Sequence, residues 1–125
     1  MLQAKISTKT RKIVKLYEKE PKNTQNEYVV LPEGETKLRI YRAYLSDKFN
    51  KVFFLLEKDE ETLYSYTPNN QFQQALIEMF HQHDFTNAYI IINKKTEKDY
   101  ITITLDFENL TIKESIDDDI ISQII

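Results

Sequence analysis

Short runs of alternating apolar and polar residues dominate the chain after residue 27, and this pattern constrains the fold more than any other. The first three runs cover residues 36–45, 52–58 and 62–67, and two more cover residues 88–92 and 100–105. Alternation with a period of two places successive side chains on opposite faces of a strand. The sequence therefore predicts five strands, of which the first three form a meander.

One segment between the third and fourth runs has a helical period instead. Its apolar residues recur every three or four positions, at Phe72, Ala75, Leu76, Met79 and Phe80. Such a stripe is typical of a helix packed on a core. The predicted order is β-β-β-α-β-β, which resembles that of the OB-fold, a mainly β barrel with one internal helix. The alternative is an α+β open antiparallel sheet with the helix on one face.

Charge divides the chain into unequal parts. Residues 1–52 carry 12 Lys and Arg against 6 Asp and Glu, whereas residues 53–125 carry 5 against 14. We predict a basic N-terminal arm at 1–27, an OB-like domain at 28–110 and an acidic C-terminal tail or short helix at 111–125. The arm is an added strand, a helix or a partly mobile segment. This asymmetry is typical of a protein with one surface that meets a polyanion, although attraction between the two halves also accounts for it.

Several function classes lack the residues they require. A length of 125 residues fits one domain, and a chain with no cysteine has neither disulfides nor thiolate metal sites. The one glycine, Gly34, excludes a glycine-rich phosphate loop. His81 and His83 are spaced so that a helix does not bring them to one face. With no signal peptide, membrane span or paired nucleophile and base in the sequence, we expect a cytoplasmic protein that is not an enzyme and holds no metal or cofactor.

Basic and aromatic residues alternate on the predicted outward side of the strands. This set comprises Lys37, Arg39, Tyr41, Phe53, Tyr64 and Tyr66, with Lys94, Lys95 and Lys98 in the last hairpin. Cations that follow phosphates and rings that stack on bases are what sequence-tolerant binding of single-stranded nucleic acid requires. The alternative is that the rings of Phe53, Tyr64 and Tyr66 pack against one another or under the arm.

The end of the chain joins an acidic run to apolar residues. Its characteristic members are Asp117, Asp118, Asp119, Ile124 and Ile125. This segment resembles the tails of bacterial and phage single-stranded DNA-binding proteins, which dock replication and repair partners. The resemblance implies an accessory protein of phages or mobile elements that binds single-stranded DNA in replication or recombination. The alternative for the tail is a short helix capped by Ser115.

A second function class fits the acidic half of the chain. A protein–protein adaptor or inhibitor, or an accessory subunit of a replication complex, would present such a surface to a basic partner. The sequence does not distinguish DNA from RNA as the ligand, because no motif marks contacts to the 2′-hydroxyl. A sheet edge or the basic arm also offers a place for a second copy of the chain.

Overall fold

The computed structural model describes residues 10–113, which form nine strands and one helix. The strands before the helix are β1 (Lys12–Tyr17), β2 (Tyr28–Val30), β3 (Gly34–Ser46), β4 (Lys51–Glu57) and β5 (Thr62–Tyr66). The helix is α1 (Asn70–Gln82). After it come β6 (His83–Asp84), β7 (Tyr89–Thr96), β8 (Ile101–Glu108) and β9 (Thr111–Ile112).

Seven strands make one sheet, here called the main sheet, in the order β2-β1-β5-β4-β3-β7-β8. The sheet curls into a half-barrel, and β6 and β9 form a separate two-stranded sheet. The strands from β5 to β8 pair antiparallel, whereas β1 runs parallel to both β2 and β5. Among the described residues, β2 and β8 are the two edges, so the curled sheet does not close there.

The predicted fold class is confirmed, because the chain is mostly β with one helix and the sheet resembles a barrel. The architecture is compatible with an OB-like fold. The five predicted strands correspond to β3, β4, β5, β7 and β8. The described part of the segment before residue 28 contributes one strand, β1, which lies inside the main sheet between β2 and β5.

The core lies on one side of the main sheet, where α1 packs. Burial alternates along β4, with Val52, Phe54 and Leu56 fully buried and their neighbours only partly so. Leu76 of α1 belongs to the same buried cluster. We call this side the inner face, and the opposite side of the main sheet the outer face.

A β-bulge in β3 reverses the alternation predicted for that strand. Ile40 pairs with Leu56, but Arg42 pairs with Leu55, which leaves Tyr41 as the extra residue. A bulge of this kind shifts every later side chain to the other face. Tyr44, which pairs with Phe53, therefore points to the outer face, as Arg42 does.

Candidate nucleic-acid interface

Two of the predicted cations lie on the outer face but are paired with carboxylates. Lys37 forms an ion pair with Glu108 on β8, and its ammonium lies 5.0 Å from the ring centroid of Tyr89. The carboxylate of Glu108 raises the pKa of Lys37. Arg39 lies with its Nε 3.5 Å from Oε1 of Glu57. Their positive charge is therefore partly neutralised within the sheet.

Tyr41 lies beside two arginines, one of which also pairs with Glu57. Its side chain is 50% exposed, and the guanidinium carbons of Arg11 and Arg42 lie 5.4 Å and 5.9 Å from its ring centroid. Arg11 also donates from Nη1 to Oε2 of Glu57 at 3.0 Å. Because half of the Tyr41 side chain is exposed, part of it is accessible to a ligand.

Within residues 10–113, a dense group of rings and of cations that form no ion pair lies at the β3–β4 hairpin. We call it the hairpin patch, and its members are Arg42, Tyr44, Lys48, Phe49, Lys51 and Phe53. Tyr44 and Phe53 stack with ring centroids 5.0 Å apart and planes inclined by 17°. Phe49 at the tip is 65% exposed, with the Lys48 ammonium 5.3 Å from its ring centroid.

Local sequence explains why the hairpin tip presents Phe49 to solvent. The Ser46 hydroxyl accepts a hydrogen bond from the backbone N–H of Phe49 at 3.3 Å. Asn50 then adopts a left-handed conformation with φ of 51°, which asparagine tolerates better than most residues. Asp47 is the one carboxylate in this turn, so the patch keeps a positive balance.

The outward placement of Tyr64 and Tyr66 was wrong. Both lie on the inner face, where Tyr66 is fully buried and Tyr64 packs against the core. The Tyr66 hydroxyl donates to Oε2 of Glu18 at 2.6 Å, which satisfies its polar group. Leu63, which alternation placed in the core, is instead buried on the outer face. Tyr66 therefore cannot stack on a base.

The three lysines of the last hairpin do not act as one group. Lys94 and Lys95 lie within β7, and Lys94 donates from Nζ to the backbone oxygen of Leu31 at 2.8 Å. Lys95 lies 3.3 Å from the carboxylate of Glu97. Lys98 lines a cavity of about 630 Å³ beside Tyr100. Because β3 has 13 residues and runs antiparallel to β7, this hairpin lies roughly 40 Å along β3 from the hairpin patch.

Of the predicted set, Phe53 thus belongs to the hairpin patch, and Tyr41 lies beside its member Arg42. Sequence reasoning missed Arg42, Tyr44, Lys48, Phe49 and Lys51. One signal for them was present in the sequence, since Phe49 is a large apolar residue inside the polar turn at 46–50. The predicted tail residues Asp117, Asp118, Asp119, Ile124 and Ile125 lie outside the described residues.

Neither membrane nor metal features stand out in residues 10–113. That part of the chain contains no helix long and apolar enough to cross a membrane. It also contains no group of three or more His, Asp or Glu side chains arranged to hold a metal ion. No protein-family model matches the chain, and no curated protein or solved structure matches it. We therefore infer function from the geometry of the outer face.

Proposed function

We propose that the protein binds single-stranded nucleic acid on its outer face, with the hairpin patch as the main contact. The observation that carries this proposal is the pair of stacked rings of Tyr44 and Phe53, flanked by Arg42 and Lys51, with a third ring and a third cation at the hairpin tip. Rings that are exposed and flat offer stacking platforms, and the surrounding cations attract phosphates.

The chemistry and the position of the hairpin patch both favour a single strand over a duplex. Unstacked bases are accessible only in single strands, and stacking on an aromatic ring contributes about 1–3 kcal/mol per base. Both stacked rings are partly exposed, so they are available to a base without unfolding the sheet. The patch also lies on a hairpin loop and strand surface of the kind that OB-like folds use for oligonucleotides.

The proposed activity is binding without catalysis. In this proposal the acidic tail predicted at residues 111–125, of which 114–125 lie outside the described residues, recruits a replication or recombination protein to the bound strand. Sequence tolerance follows from the chemistry of the patch, since every base has a face that can stack.

Fluorescence anisotropy with labelled dT16 and a duplex of equal length tests the proposal. We expect the protein to prefer dT16 and its affinity to fall with salt at a log–log slope of about −2 or steeper, since each of three phosphate contacts at the hairpin patch contributes about 0.7. Phe49→Ala should weaken binding of dT16 by roughly 5-fold to 150-fold, the equivalent of one lost stacking contact. Because Phe49 is exposed, its truncation leaves the core intact.

Tyr100→Ala is the matched control, because Tyr100 is 64% exposed but belongs to the hairpin at the other end of β3. Its affinity for dT16 should equal that of the unmodified protein. Equal losses in the two variants would contradict a site at the β3–β4 hairpin. Failure of the unmodified protein to bind dT16 at low salt would refute the proposed function and favour a protein partner.

A further inference from the structure

A straight row of outer-face residues connects the hairpin patch to a second cationic site. Arg42 on β3 pairs with Leu55 on β4, Leu55 pairs with Ser65 on β5, and Ser65 pairs with Lys15 on β1. Residues in register on neighbouring strands point to the same face. The row crosses three strand spacings, which is about 14 Å.

The row ends at Lys15, which lines a cavity of about 590 Å³ beside β1. We call it the lysine pocket. Its lining includes three exposed lysines, one tyrosine and two hydroxyl side chains, namely Lys15, Lys19, Lys22, Tyr17, Ser65 and Thr67. The cavity wall therefore combines ammonium groups with small hydroxyl donors, both of which bind phosphate oxygens.

Two carboxylates also line the lysine pocket, but both already accept hydrogen bonds. Glu18 accepts from the buried Tyr66 hydroxyl at 2.6 Å and from Nδ2 of Asn69 at 3.1 Å. Glu20 accepts from the hydroxyl of Tyr28. The pocket has three ammonium groups and two carboxylates, and both carboxylates are held by neutral donors. Its net charge is therefore positive.

We propose that the lysine pocket is a second phosphate-binding subsite for the same strand that stacks on the hairpin patch. This inference rests on the proposed function. A bound strand then crosses the sheet from β3 over β4 and β5 to β1, at right angles to the protein strands. Ser65 lies on this path and lines the lysine pocket, where its hydroxyl donates to the phosphate backbone of the bound strand.

Affinities for dT4 and dT16 distinguish one subsite from two, because the short oligonucleotide reaches one subsite and the long one reaches both. OB-type sites span about 4–16 nucleotides. The test variant is Lys15→Gln/Lys19→Gln/Lys22→Gln, in which all three substituted side chains are exposed. We expect it to bind dT16 at least tenfold more weakly at 50 mM salt, with a slope flatter by about 2. Its affinity for dT4, which is held by the rings of the hairpin patch, should change less than twofold.

The matched control is Lys12→Gln/Lys58→Gln/Lys95→Gln, which removes three exposed lysines that belong neither to the row nor to the lining of the lysine pocket. It makes the same change in net charge, so equal losses of dT16 affinity in the two triple variants would overturn the second subsite. If Phe49→Ala still weakens binding, that result does not contradict the proposed function. Absence of dT16 binding by the unmodified protein would refute the proposed function itself.

Discussion

Gln73 holds the helix to the sheet at the root of the β3–β4 hairpin. Its side chain is buried, with only 6% exposed. The amide oxygen accepts from the backbone N–H of Val52 at 2.7 Å, and the amide nitrogen donates to the backbone oxygens of Val52 and Pro68 at 3.1 Å and 2.9 Å. The β4–β5 register, continued past Tyr66, places Pro68 opposite Val52. Because proline has no N–H, the glutamine supplies the partner that a strand backbone would otherwise provide.

Gln73→Leu keeps a side chain of similar bulk but leaves three buried backbone groups without partners. Each such group costs about 1–3 kcal/mol. We expect a loss of roughly 3–5 kcal/mol in the free energy of unfolding, because relaxation and entering water recover part of the cost. Domains of this size have about 5–15 kcal/mol in total, so the variant should still fold.

Urea unfolding at pH 7, followed by far-ultraviolet circular dichroism, measures this loss. The midpoint should fall by roughly 2 M with an unchanged slope. Gln74→Leu is the matched control, since Gln74 is the next residue of α1 and is exposed. It should change stability by no more than about 0.5 kcal/mol. A loss below about 1 kcal/mol for Gln73→Leu would refute the assigned role of these three hydrogen bonds.

Three further substitutions test other features of the structure. Burial and the hydrogen bond to Glu18 raise the pKa of Tyr66. The protonated hydroxyl therefore stabilises the folded protein below pH 10, and this contribution is lost as the pH rises above that value. Tyr66→Phe should lower the free energy of unfolding by about 1–2 kcal/mol at pH 7. If the variant loses as much stability at pH 11 as the unmodified protein does, Tyr66 is not the group responsible. Glu57→Gln removes the carboxylate shared by two guanidiniums and should tighten dT16 binding with a steeper salt slope, whereas unchanged anisotropy curves would exclude those cations from the site. Gly34→Ala should cost about 1–2 kcal/mol in thermal unfolding, because φ is +93° and nothing lies within 4 Å of an added Cβ; no measurable cost would contradict that reasoning.

Period alone was sufficient to find the helix and five strands. Alternation of Val52, Phe54 and Leu56 predicts one buried face of β4, and the structure buries all three. The same rule places Tyr66 and Leu63 on opposite faces of β5. It does not show which of the two faces the core, and both are buried. A tyrosine enters a core only when its hydroxyl finds a partner, and Glu18 lies 48 positions away in the sequence.

The proposed binding site was harder to predict than the fold, because its residues depend on a backbone irregularity. The bulge at Tyr41 brings Arg42 and Tyr44 to the outer face, and no residue type marks a bulge in sequence. The role of β1 was equally hidden. Its pairing with β5 joins Lys12 to Thr62, and periodicity within a short window carries no information about such distant partners.

The parallel pairing of β1 with β5 sets the order in which the chain folds. The hairpins β3–β4 and β7–β8 close short loops, whereas the contact between Lys12 and Thr62 closes a loop of about fifty residues, and long loops are costlier to close. We therefore expect β1, the first of the described strands, to be among the last to dock. Until it does, the edge of β5 offers unpaired backbone groups to any other nascent chain, and newly made protein is most prone to aggregate in that interval.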